Sequence, residues 1–98
     1  MDVKIIIKRI VSKDKVKEMI PFFRQIRALA INQEGYISGE TLKSLDSPDS
    51  FMVISNWHSP EDWEKWMLNK ERQEVQEKVD ALLGRKTKYE RFHYGYSV

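Results

Sequence analysis

The sequence predicts an α+β fold in which helices cover one face of a four-stranded antiparallel sheet. Three observations carry that prediction. Four segments are dense in β-branched and aromatic residues, two intervening segments repeat apolar residues at spacings of three and four, and their order is β-α-β-β-α-β. That order is the split pattern of the ferredoxin-like sandwich. At 98 residues, with 41% hydrophobic and 33% charged side chains, the chain is expected to form one domain spanning residues 1–98.

The first strand is expected over Val3 to Val11 (VKIIIKRIV), where β-branched residues outweigh helix formers. Val3, Ile5, Ile7 and Val11 fall on one face and Ile6 and Ile10 on the other, so both faces call for cover. Ser12 and Asp14 are candidate N-caps for a helix whose stripe is Val16, Met19, Ile20, Phe23, Ile26 and Ala30. Pro21 lies inside it and predicts a kink or an irregular first section, while Gly35 suits the left-handed position that ends many helices.

Tyr36 to Leu45 and Phe51 to His58 read as a hairpin joined through Asp46-Ser47-Pro48-Asp49-Ser50. Gly39 marks a bulge or a close backbone approach in its first strand. Ser59-Pro60-Glu61-Asp62 is a specific helix start, with a hydroxyl at the cap, proline at the first helical position and carboxylates in the first turn. Trp63, Trp66 and Met67 form its inner stripe. Asn69 is placed to break this helix and cap another, in which Val75, Val79, Leu82 and Leu83 recur until Gly84. The last strand is expected over Thr87 to Tyr96, where aromatic residues alternate incompletely with charge.

Two helices shield only one face of such a sheet, yet the first and third strands carry apolar residues on both. A second copy packed sheet to sheet is the simplest cover, so a homodimer is expected. Lys and Arg number 17 against 15 Asp and Glu, and the net charge of +2 gives no nucleic-acid footprint. The absence of cysteine excludes disulfides and thiolate metal sites. Apolar runs are only a few residues long, which predicts no membrane span, and no secretory apolar region follows the N-terminus. A cytoplasmic protein is the expectation.

Several short motifs at consistent spacing resemble a known family. They are Glu34-Gly35-Tyr36-Ile37, the Asp46-Ser47-Pro48-Asp49 turn, and Phe51-Met52-Val53-Ile54-Ser55-Asn56-Trp57 leading through Ser59-Pro60-Glu61-Asp62-Trp63 into a helix. This pattern is similar to the antibiotic biosynthesis monooxygenase (ABM) family, whose members are dimeric α/β barrels built from ferredoxin-like chains. Trp57 stands where the family places a tryptophan at the end of the third strand, and Trp63 where a Phe is usual. Departures from the pattern are as informative. Ser55 stands where the family often has Glu, and Trp66 where many members have His. A tryptophan there resembles the haem-degrading branch, but that branch also uses a His at the place of Gln76 and an Asn at the place of Ile7 or Lys8. The iron ligand is missing, which argues against haem degradation.

The resemblance implies a cofactor-independent monooxygenase that takes a small aromatic or quinol substrate between helices and sheet, with neither flavin nor metal. Such an enzyme binds an electron-rich phenol, assists its deprotonation and stabilises negative charge while the substrate carbanion reduces dioxygen. The chain has no GxGxxG and no P-loop. Trp66, Trp63 and Trp57 are the candidate stacking wall, with Ile7 beside them, although large aromatics at such spacing are more often core. Asn56 and His93 are the candidate polarising and proton-accepting groups. Two histidines, His58 and His93, without a local ligand spacing make a metal site improbable. Tyr36, Tyr89, Tyr94 and Tyr96, with Arg9 and Arg91, are further donors able to hold a phenolate. Asn69 to Lys78 reads as a solvated helix face with supportive pairs such as Glu74 with Lys78, and Lys86, Lys88 and Arg91 as a mild basic patch able to attract an anion. The competing reading, favoured by the lack of the usual His and Glu, is a non-catalytic dimer of the same fold that binds a small ligand or serves in a stress response.

Overall fold

The computed structural model describes residues 1–95. The elements run β1 (Val3–Ile10), α1 (Lys13–Ala30), β2 (Tyr36–Lys43), β3 (Ser50–Trp57), α2 (Pro60–Met67), α3 (Lys70–Leu83) and β4 (Glu90–Phe92). The four strands form one antiparallel sheet in the order β2-β3-β1-β4. This is the α+β ferredoxin-like sandwich, with its second helical segment divided in two.

The division comes from local chemistry. At the start of α2 the Ser59 hydroxyl accepts from the Asp62 backbone N–H, 3.1 Å away, and Pro60 fills the first helical position. At Asn69 the backbone turns extended and its side-chain oxygen accepts from the Arg72 N–H at 2.9 Å, which opens α3. Gly84, at φ +71°, closes it in the left-handed conformation that costs glycine no Cβ clash.

Two features of α1 differ from expectation. The helix runs unbroken through Pro21, whose ring side faces solvent, so the missing donor does not divide it. Ser12 occupies the N-cap position through its backbone alone, its carbonyl accepting from Lys15 and Val16. Gly35, at φ +83°, completes the turn into β2. A side chain there would run into the Asp62 carboxylate, so this close approach of turn to α2 requires glycine as well. The bulge in β2 falls between Tyr36 and Ser38, whereas Gly39 admits the Tyr36 hydroxyl against the backbone.

The register separates the two faces. Val3, Ile5, Ile7 and Arg9 of β1 stand opposite Trp57, Ser55, Val53 and Phe51 of β3 on the helix-covered side. There the core forms in two clusters, one around Ile5, Trp57, Trp63 and Trp66 and one around Val11, Met19 and Val79. On the other side Ile6, Ile54 and Met52 are half-buried, while Ile10, Leu42 and Phe92 stand open. The last strand is far shorter than the expected Thr87 to Tyr96, and Tyr96 itself lies outside the described residues. β4 pairs only with Lys4, Ile5 and Ile6.

Candidate functional site

Trp57 ends β3 and Trp63 and Trp66 share one face of α2, and the fold brings these three together. All are buried. Trp57 and Trp66 stack with ring centroids 6.0 Å apart, and Tyr36 meets Trp57 edge-on at 5.3 Å. The Trp57 indole N–H donates to the Ser55 hydroxyl at 3.1 Å, which gives the buried ring the polar partner it needs. Ile7 lies on the same face of the sheet, half-buried opposite Val53. The three tryptophans and Tyr36 belong to the core beneath α2, Ile7 lies outside that cluster, and none of the three tryptophans lines the principal surface clefts.

Asn56 is on the other face. Its amide bridges β1 and β2, accepting from the Lys4 ammonium at 2.8 Å and donating to the Ser38 hydroxyl at 3.0 Å. The thickness of the sheet therefore separates it from the tryptophans. His93 follows β4 and lines a cleft of about 360 Å³ with Met1, Val3, Pro60, Arg91 and Phe92. Its walls are mostly apolar, and His93 and Arg91 are the lining residues with a titratable or charged side chain. Arg91 lies 5.7 Å above the Trp63 ring and 3.4 Å from the Glu64 carboxylate, so the indole and the acid hold it in place. The His93 Nδ1 is 3.2 Å from the Tyr94 carbonyl oxygen; donating to it leaves Nε2 as an acceptor. Asn56 and His93 thus occupy separate places.

A second group of polar side chains is buried between α3 and the sheet. Arg72 donates through Nε and Nη2 to the carbonyls of Trp66 and Met67 at the end of α2, and through Nη1 to the Tyr89 hydroxyl. Tyr89 in turn donates to the Gln76 carbonyl oxygen at 3.2 Å. The Gln76 amide donates to Asp80 and to the Thr87 hydroxyl, and that hydroxyl donates to Asp80. Arg9 reaches Thr87 from β1 at 2.9 Å and lies 5.3 Å from the Phe23 ring centre. Burial holds the Tyr89 hydroxyl above its ordinary pKa against the opposing pull of Arg72 and Arg9, so Tyr89 is a donor rather than a base at neutral pH. Burial likewise works against the charge of Arg9, with Tyr89 and Asp80 acting the other way.

Comparison with known proteins places this architecture. A family model described as antibiotic biosynthesis monooxygenase matches residues 3–78, from the start of β1 through most of α3. The chain belongs to this family. No curated protein matches it. Among solved structures, a conserved protein from Methanosarcina mazei Go1 superposes with a TM-score of 0.88 at 15% identity, covering 97% of this chain and 94% of that one. SnoaB, a cofactor-independent oxygenase from Streptomyces nogalater, gives a TM-score of 0.80 at 15% identity over 99% and 96% of the two chains. Rv0793 from Mycobacterium tuberculosis gives 0.83 at 12% identity over 99% and 98%. At these identities the likeness is one of fold.

Within this ABM fold, Arg72, Asp80 and Thr87 are the polar residues that sequence reasoning passed over. Arg72 sits in the charged run Asn69 to Lys78, which reads as a solvated face. Yet Arg72, Gln76, Val79 and Leu83 recur at spacings of four, three and four, and the first three are buried. Two polar residues on an inner stripe were the available signal. The expected Glu74–Lys78 pair is not among the ion pairs of the described residues, which join Lys8 to Glu90 and Glu64 to Arg91, while the His58 ring lies 3.7 Å from the Asp2 carboxylate.

Proposed function

We propose that this ABM-family chain is a cofactor-independent monooxygenase for a small electron-rich aromatic or quinol, bound in the cleft beside His93. One observation carries the reading: an apolar cleft of about 360 Å³ has an imidazole and a guanidinium as its polar groups. Met1, Val3, Pro60 and Phe92 offer a ring its apolar walls. His93 Nε2 takes the phenolic proton, and Arg91, held over Trp63, faces the phenolate that results. The activated ring carbon then gives two electrons to dioxygen and forms a C–O bond as a hydroperoxide. The proton held by His93 returns to the peroxide, and loss of water from the hydroperoxide, with the hydrogen of that ring carbon, leaves a carbonyl there, so atoms and electrons balance without a further reductant. Trp63 is a positioning residue here, and Trp57 and Trp66 support it from the core. Asn56 contributes on the opposite face, where two copies of the chain would meet.

Oxygen uptake with anthrone, naphthol and quinol substrates tests the reading. Uptake should fall at least ~100-fold in His93→Ala, the lower range for loss of a general base, and Arg91→Ala should raise KM with the fold intact. A rate unchanged in His93→Ala removes the proposed base. A second reading, a non-catalytic ligand-binding dimer, draws support from the close packing of Trp57 on Trp66. Silence across the panel combined with saturable quenching of tryptophan fluorescence by the same aromatics would favour it.

A further inference from the structure

At the far end of β1 from His93, a cleft of about 510 Å³ opens between the strand and the loop that follows α3. Its walls carry Lys8 and Arg9 from β1 and Arg85, Lys86, Thr87 and Lys88 from the loop. It exists because β4 stops pairing at Ile6, which leaves the Ile7–Ile10 edge of β1 without a strand beside it. Five cations meet there in a chain whose net charge is only +2.

The fold neutralises them only in part. Among the described residues the one ion pair made by these cations is Lys8 with Glu90, at a loose 3.8 Å on exposed side chains. Asp80 offsets part of the Arg9 charge, its Oδ1 also accepting from Thr87 N, Thr87 Oγ1 and Gln76 Nε2. An independent observation comes from Arg9. It is only 7% exposed, Nη1 donates to Thr87, and Nε is buried with no hydrogen-bond partner. A buried guanidinium N–H without an acceptor is costly, so further negative charge brought close to Arg9 would be stabilising.

We propose that this cleft binds the phosphoryl group of a small phosphorylated molecule. The proposal is independent of the oxygenase reading, since the two clefts lie at opposite ends of β1. A phosphoryl group carries close to two charges at neutral pH and three acceptor oxygens. Lysine and arginine side chains of the loop would neutralise it with Arg9 beneath them, and the Thr87 hydroxyl, already donating to Asp80 and accepting from Arg9 and Gln76, holds the loop against β1.

Titration of the ¹⁵N-labelled protein with pyrophosphate at low ionic strength tests this. The Arg9 Nε–H signal and the amides of residues 85–88 should move together and saturate. In Lys86→Ala/Lys88→Ala the Kd should rise by ~10-fold or more, the loss expected for two charge-assisted contacts. Lys65→Ala/Lys70→Ala removes the same charge from exposed positions outside the cleft and should leave Kd within about twofold. Equal weakening by both double variants would reduce the effect to net charge and overturn the site. So would shifts that miss Arg9 and the loop. Succinate binding as tightly as pyrophosphate would overturn the phosphoryl assignment.

Discussion

Tyr89 shows how a single hydroxyl ties the helices to the sheet. It accepts from Arg72 at 3.1 Å and donates to Gln76 at 3.2 Å, and its ring meets Trp63 at 5.8 Å. Burial raises its pKa from the ordinary 10.0, so the folded state resists ionisation that the unfolded chain accepts freely. The contribution is therefore fully present below about pH 10 and is lost as pH rises from there through the raised value. Tyr89→Phe should cost about 1–2 kcal/mol near neutrality, because it leaves Arg72 Nη1 without its acceptor. Urea denaturation followed across the alkaline range should show the wild type losing stability more steeply than the variant, with the gap closing. A constant gap would mean that the hydroxyl does not titrate differently in the two states. Tyr89 and Arg9 were visible in the sequence as donors, but their burial was not, since it depends on Gln76, Asp80 and Thr87 meeting across α3 and the segment before β4. Gly35 shows the same limit. Its left-handed conformation was legible, but its contact with Asp62 is long-range.

Helix boundaries were readable because caps are local chemistry. The Asn69 side chain and the Gly84 backbone each satisfy groups within one turn, and both α3 ends fall where the sequence placed them. Asn69→Ala should destabilise the fold by about 1 kcal/mol while Asn69→Asp keeps most of the stability, as thermal unfolding of both variants would show. Equal losses in the two would assign the effect to the backbone at this position and not to the cap. The last strand was overestimated for a reason that acts at longer range. Thr87 N and Oγ1 both bond the Asp80 side chain, which draws the chain entering β4 toward α3 and away from the β1 edge. A β-rich pattern says nothing about such a competitor.

At the scale of the molecule, the alternation in β1 calls for cover on two faces, and a single chain covers one. Across the helix-free face, Ile6 pairs with Ile54, and Met52 and Leu42 lie alongside; Ile10 is 52% exposed, Leu42 45% and Phe92 49%. Lys4, Lys8, Glu40 and Glu90 interleave with them, a mixture that suits a specific interface better than open aggregation. We infer that two chains press these faces together. A stable interface needs about 800 Å² from each partner. No helix of the described residues is long and apolar enough to cross a membrane. Sedimentation equilibrium at micromolar concentration should return twice the 11.7 kDa chain mass. Ile54→Asp places a charge at the middle of the face, where it meets its own copy or comes close to it, and should yield a folded monomer with an unchanged far-ultraviolet spectrum. A wild type that sediments as 11.7 kDa at that concentration would leave the apolar face without its partner, and Asn56 would then bridge β1 and β2 without facing a second copy.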